Sequence, residues 1–114
     1  MFRSPEQVVQ ENMDFYNARD IDGFMTSFSE DIALYNFSEP LPSLEGLEQI
    51  RHFYEELFQL SPQLHSTIIK RITFDNKVID HESIVGRKGS KKIIKLVLIY
   101  EVKEDKICKI TVIK

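Results

Sequence analysis

The stretch KIIKLVLIYEV, residues 92–102, decides the fold. Read as a strand, it points Leu96, Leu98, Tyr100 and Val102 to one side and Val97 and Ile99 to the other, with Lys95 and Glu101 at the margins. Both sides are apolar in the middle, whereas an antiparallel sheet covered on one face alternates more cleanly. Something therefore covers each face. The chain's few helices suffice for one, so a second copy of the protein is the natural cover for the other, and a homodimer through the outer sheet face is expected.

The neighbouring sequence has the same period. HSTIIKRITF (65–74), KVIDHESIVG (77–86) and KICKITVI (106–113) are β-rich runs separated by Asp75-Asn76-Lys77, Gly86 to Lys91 and Glu104-Asp105-Lys106. Connections this short give a four-stranded antiparallel meander.

Upstream the period is helical. Ser4-Pro5-Glu6-Gln7 supplies an N-cap, a proline at the first helical position and an acidic first turn, and Val9, Met13 and Tyr16 then share a face, giving a helix from about Pro5 to Ala18. A short second helix carries Phe24, Met25 and Phe28, and IALYNF (32–37) suits a first strand. In SEPLPSLEG (38–46) two prolines and a glycine argue against regular structure. Leu47, Ile50, Phe53 or Tyr54, Leu57 and Phe58 form the face of a third helix ending before Ser61-Pro62.

Composition sets the outer bounds. A chain of 114 residues, 42% hydrophobic with 8 Phe and 4 Tyr, is the size of one domain (1–114) and can build a core without metals or disulfides. The lone Cys108 sits between Ile107 and Ile110 as a packing residue would. MFRSPEQ turns polar before any signal-like apolar run forms, and no apolar run approaches the roughly 20 residues of a membrane span, so a soluble, cytoplasmic protein without membrane contact is expected. Net charge is −3, and the densest basic cluster, Arg87-Lys88-Gly89-Ser90-Lys91-Lys92, reads as a solvated hairpin tip; no nucleic-acid partner is expected.

The order helix, short helix, strand, loop, helix, four strands resembles the nuclear transport factor 2-like superfamily, in its SnoaL-like and ketosteroid isomerase-like branch. The likeness is carried by VVQENMDFYNARDIDGF (8–24), SFSEDIAL (27–34), Gly46 followed by IRHFY (50–54), and YEVKEDKICKI (100–110). It implies an α+β cone, α-α-β-α-β-β-β-β, in which three N-terminal helices pack on a curved, mainly antiparallel sheet around a pocket open at one end. Relatives include isomerases, cyclases, dehydratases and epoxide hydrolases as well as binding and accessory domains, so the fold leaves function open.

The same resemblance places the ketosteroid isomerase base at Asn36, its helix tyrosine at Asn12 and its strand acid at or near Leu98. An amide cannot abstract a carbon-bound proton at neutral pH, and leucine donates no hydrogen bond, so that mechanism is not expected. Tyr54 matches a supporting tyrosine of the family. The candidate ligand-binding residues are Asn12, Tyr16, Asn36, Tyr54, Leu98 and Tyr100.

In VIDHESIVGR (78–87), strand parity puts Val78, Asp80, Glu82 and Ile84 on one side and Ile79, His81, Ser83 and Val85 on the other. Register with the family turns Glu82 into the pocket, with Asp80 nearer the rim and His81 on the outer face. A buried Glu82 can serve as general acid or base, as a ligand anchor, or as a structural carboxylate. His81 reads as an interface or surface histidine, His52 and His65 lack the spacing of metal ligands, and no phosphate loop or nucleophile elbow occurs, so neither metal nor cofactor is expected. Three readings follow: a domain binding a small, mostly apolar molecule; an isomerase, cyclase or dehydratase using Glu82; and a protein-interaction domain acting through its sheet face.

Overall fold

The computed structural model describes residues 2–114. Helix α1 spans Pro5–Ala18 and opens on a capping box, with the Ser4 side chain accepting from the Gln7 backbone N–H and the Gln7 side chain accepting from the Ser4 N–H. Helix α2, Ile21–Met25, is capped by Asp20, whose carboxylate accepts from Gly23 N–H at 3.0 Å. Gly23 is required here: a Cβ would stand 2.3 Å from the ring of Phe15. Then come β1 (Phe28–Asn36), β2 (Leu44–Glu45), α3 (Gly46–Gln59), β3 (His65–Phe74), β4 (Lys77–Val85), β5 (Ile94–Lys103) and β6 (Lys106–Ile113).

The strands form one six-stranded sheet in the order β2-β1-β6-β5-β4-β3. The meander β3 to β6 is antiparallel throughout, as its short turns require, while β1 joins β6 in parallel. All three helices lie on one face. Helix α1 crosses β3 to β6, and α3 lies against β1 and β2. Between them and the sheet sits the core of Val8, Val9, Phe24, Ile32, Ile50, Leu57, Val78 and Ile107.

Two sequence expectations need correction. The first strand begins at Phe28 and not at Ile32, because an irregularity between Phe28 and Ala33 accommodates the polar Ser29-Glu30-Asp31 that hid its start. The segment read as irregular contains β2: both prolines precede Leu44, so Leu44 and Glu45 keep their backbone groups free to pair with Leu34 and Ala33.

Candidate functional site

A cavity of about 350 Å³ opens between the helices and the concave side of the sheet. Met13 and Tyr16 of α1, Phe24 of α2, Leu34 of β1, Tyr54 and Leu57 of α3, Ile84 of β4, Leu96, Leu98 and Tyr100 of β5 and Ile110 and Val112 of β6 make its wall largely apolar. Its exposed lining residues, Ser43, Phe53 and Lys114, mark the mouth, whereas Asn12, Met13, Glu82 and Tyr100 are buried at its depth.

Glu82 is the acidic side chain on this wall, and it is 3% exposed. Ser66 Oγ–H donates to its Oε1 at 2.7 Å, and Tyr100 O–H reaches Oε2 at 3.5 Å, too long for a strong bond. Burial pushes the carboxyl up to about 7, the Ser66 bond holding it back and the charge of Asp80 adding to the rise. Near neutral pH both forms are therefore populated, and Oε2 is the oxygen with free capacity.

The tyrosines come from an aromatic cluster. Tyr16, Phe24, Tyr54 and Phe58 stand with ring centroids 4.7–6.4 Å apart, which fixes the rings by edge and tilted contacts. Among the described residues no group bonds the Tyr16 or Tyr54 hydroxyl and no buried side-chain nitrogen or oxygen lacks a partner, so both hydroxyls open on the cavity. Burial raises both, Tyr54 to about 12, with the positive charge of Arg87 pulling the other way. They are donors at any physiological pH. Tyr100 is likewise raised by burial.

Asn12 donates from Nδ2 to the Phe24 carbonyl at 3.3 Å, which ties α1 to α2. Asn36, not Tyr35, is the member of its pair on the cavity wall; the Tyr35 ring lies under Lys109 Nζ at 4.8 Å. The structure thus gathers Asn12, Tyr16, Asn36, Tyr54, Glu82, Leu98 and Tyr100 around one space. His81, His52 and His65 are all exposed. Among the described residues no three His, Cys, Asp or Glu side chains are grouped to hold a metal ion, and no helix is long and apolar enough to cross a membrane.

The profile of the SnoaL-like domain matches residues 9–110. This chain belongs to the SnoaL-like family. Its fold is that of the nuclear transport factor 2-like superfamily, and solved structures agree. An uncharacterised cystatin-fold protein from Novosphingobium aromaticivorans superposes with a TM-score of 0.88 at 22% identity, over 98% of this chain and 99% of its own. A candidate ketosteroid isomerase from Kribbella flavida gives 0.81 at 13% identity, over 96% and 76%. A candidate polyketide cyclase from Sinorhizobium meliloti gives 0.77 at 14%, over 93% of each chain. At such identities the likeness is one of fold. No curated protein matches this chain.

Three features of this SnoaL-like domain lie outside the sequence expectations. Asp80 is not at the cavity rim: it is fully buried and gripped by Arg71, Nε to Oδ1 at 2.7 Å and Nη2 to Oδ2 at 2.9 Å, with Arg71 Nη1 also donating to Gln10 of α1. Arg87, expected at a solvated hairpin tip, lines the cavity instead. Ser66, the Glu82 donor, was unassigned; it is clipped to the end of α1 by Asn17, which donates to the Ser66 carbonyl at 3.0 Å and accepts from the Ser66 N–H at 2.8 Å.

Proposed function

We propose that this SnoaL-like domain binds a small, mostly apolar molecule in the cavity, oriented by hydrogen bonds from Tyr16 and Tyr54 and to or from Glu82. The observation that carries this reading is an apolar space of about 350 Å³ on which several polar side chains converge with unused bonding capacity. Its size falls within the roughly 300–1,000 Å³ of small-molecule sites. Asn12, Asn36, Leu98 and Tyr100 complete the contact set. A Leu98→Trp variant, which fills the cavity from the middle of β5, tests it: fragments that shift cavity-residue NMR signals in the unaltered protein should lose that effect in the variant. Equal shifts in both proteins would overturn the reading.

A second reading, proton-transfer catalysis of isomerase, cyclase or dehydratase type, is favoured by one observation: the Glu82 carboxyl is poised at about 7, where a general acid or base works best. With Asn36, Asn12 and Leu98 at the positions of ketosteroid isomerase chemistry, such a reaction would run through Glu82. Glu82→Gln should then keep binding and lose turnover of the bound compound; absence of turnover in both proteins would remove the enzyme reading.

The domain is further proposed to pair with a second copy through the outer sheet face. Ile72, Phe74, Ile79, Val97, Ile99 and Ile113 share that face, with Phe74 71% exposed, and among the described residues no helix covers it. Ile79→Glu should convert a dimer to a monomer in sedimentation velocity; a monomeric unaltered protein would refute the pairing.

A further inference from the structure

We propose that the cavity's ligand is an organic carboxylate, its anionic group taken by the guanidinium of Arg87 and its apolar body filling the rest of the cavity. The inference rests on the reading of the cavity as a small-molecule site and specifies the chemistry of what enters it.

The chain has five arginines, and four have protein acceptors: Arg3 bonds Glu11, Arg19 the Leu64 carbonyl, Arg51 Asp22, and Arg71 Asp80. Arg87, half-buried on the cavity wall, makes no hydrogen bond or ion pair through its side chain among the described residues. Leaving a partly desolvated guanidinium unpaired sacrifices the strongest hydrogen bonds a side chain can make, unless a ligand supplies the acceptor.

The backbone around Arg87 is held in place. Gly86 sits at φ 76°, and a Cβ there would lie 2.2 Å from the Gln63 carbonyl oxygen, so the strand end is pressed onto the α3–β3 link. The next anchor is Lys88 N–H, which donates to the fully buried Ser61 Oγ at 2.8 Å. Between these two contacts the direction of Arg87 is set.

Its electrostatic neighbours are also informative. The charge of Arg87 is felt at Tyr16 and Tyr54, while the charges acting on Glu82 are those of Asp80 and Arg71. The hydrogen-bond partners of Glu82 are Ser66 and Tyr100, so Arg87 and Glu82 line one cavity without an ion pair between them among the described residues. A planar carboxylate suits this end: it accepts the guanidinium fork in bidentate fashion, and the two tyrosine hydroxyls, both protonated, can donate to the same oxygens. At liquid-like volume the cavity admits about a dozen non-hydrogen atoms, the size of a phenylpropanoate or a medium-chain fatty acid.

The test is a calorimetric titration of the full chain with 3-phenylpropanoate, cinnamate and octanoate, each beside its primary amide. Each acid should bind about tenfold or more tighter than its amide. Arg87→Gln, checked for an unchanged melting temperature, should bring acids down to amide affinity and leave the amides within about twofold. Arg87→Lys should restore part of the preference. Equal affinity of acids and amides for the unaltered protein, or an acid preference that survives Arg87→Gln, would overturn the carboxylate assignment while leaving the cavity as a binding site. Failure of both series to bind would take down the cavity reading and this inference together.

Discussion

Asp80 and Glu82 stand two residues apart on one strand and point to the same side, yet they have become different kinds of group. Asp80 lies under α1 with a guanidinium forked onto both its oxygens, and Gln10 holds the far side of that guanidinium. Glu82, one pleat further along, meets only hydroxyls, one close and one distant, and faces the cavity. Burial is nearly equal at the two positions. What separates them is whether a cation accompanies the carboxylate into the low-dielectric interior. A paired carboxylate is fastened to the structure; one served by hydroxyls alone retains a proton that can be exchanged.

The largest effect should come from unpairing Asp80. Arg71→Met leaves a fully buried carboxylate without its partner, and a loss of about 3–5 kcal/mol is expected in urea unfolding near neutral pH. A loss below about 1 kcal/mol would mean that water already reaches this site.

Next is Glu82→Gln, which should stabilise. With the folded carboxyl at about 7 against an ordinary 4.5, the folded state holds the proton more tightly than the unfolded chain. Unfolding free energy is thus undiminished below pH 4.5 and falls as pH rises toward 7, by about 3 kcal/mol in all. The variant should match the unaltered protein at pH 4.5 and exceed it at pH 8. Equal stability at both pH values would make Glu82 an ordinary carboxylate. Smaller again is Ser66→Ala, which removes the 2.7 Å donor. It should lift the Glu82 midpoint and cost about 1 kcal/mol at pH 8, with less at pH 5, since the bond favours the charged form.

The contrast was half legible in the sequence. Strand parity put Asp80 and Glu82 on one side and His81 on the other, the family resemblance chose the inner side for the carboxylates, and the unbroken β4–β5 register keeps them together. The Arg71–Asp80 pair could also have been counted: a turn at Asp75-Asn76 sets Phe74 opposite Lys77, and hence Arg71 opposite Asp80. The Ser66 contact could not. A hairpin continued without interruption would bring Thr67 and Ile69 to the inner face, and the irregularity between Ile68 and Lys70 instead sets Ser66 opposite Ile84, beside Glu82. A one-residue bulge leaves no compositional mark, so the group that tempers Glu82 was hidden. Arg87 was hidden for a different reason. Its Gly, Lys and Ser neighbours are those of an exposed turn, and only the docking of that turn onto Ser61 and Gln63 directs it inward.

The smallest predicted effect bears most directly on how Glu82 is held. Tyr100 O–H approaches Oε2 at 3.5 Å, and the bond ranks last among the influences on that carboxyl. Tyr100→Phe keeps the ring and its burial while deleting the hydroxyl, so the Glu82 midpoint should rise by less than about half a pH unit, followed through the side-chain carboxyl carbon by NMR. A rise of one unit or more would show that the hydroxyl closes onto Oε2 in solution. Glu82 would then be held at both oxygens, as Asp80 is, and its free acceptor, on which the binding and proton-transfer readings both draw, would be lost.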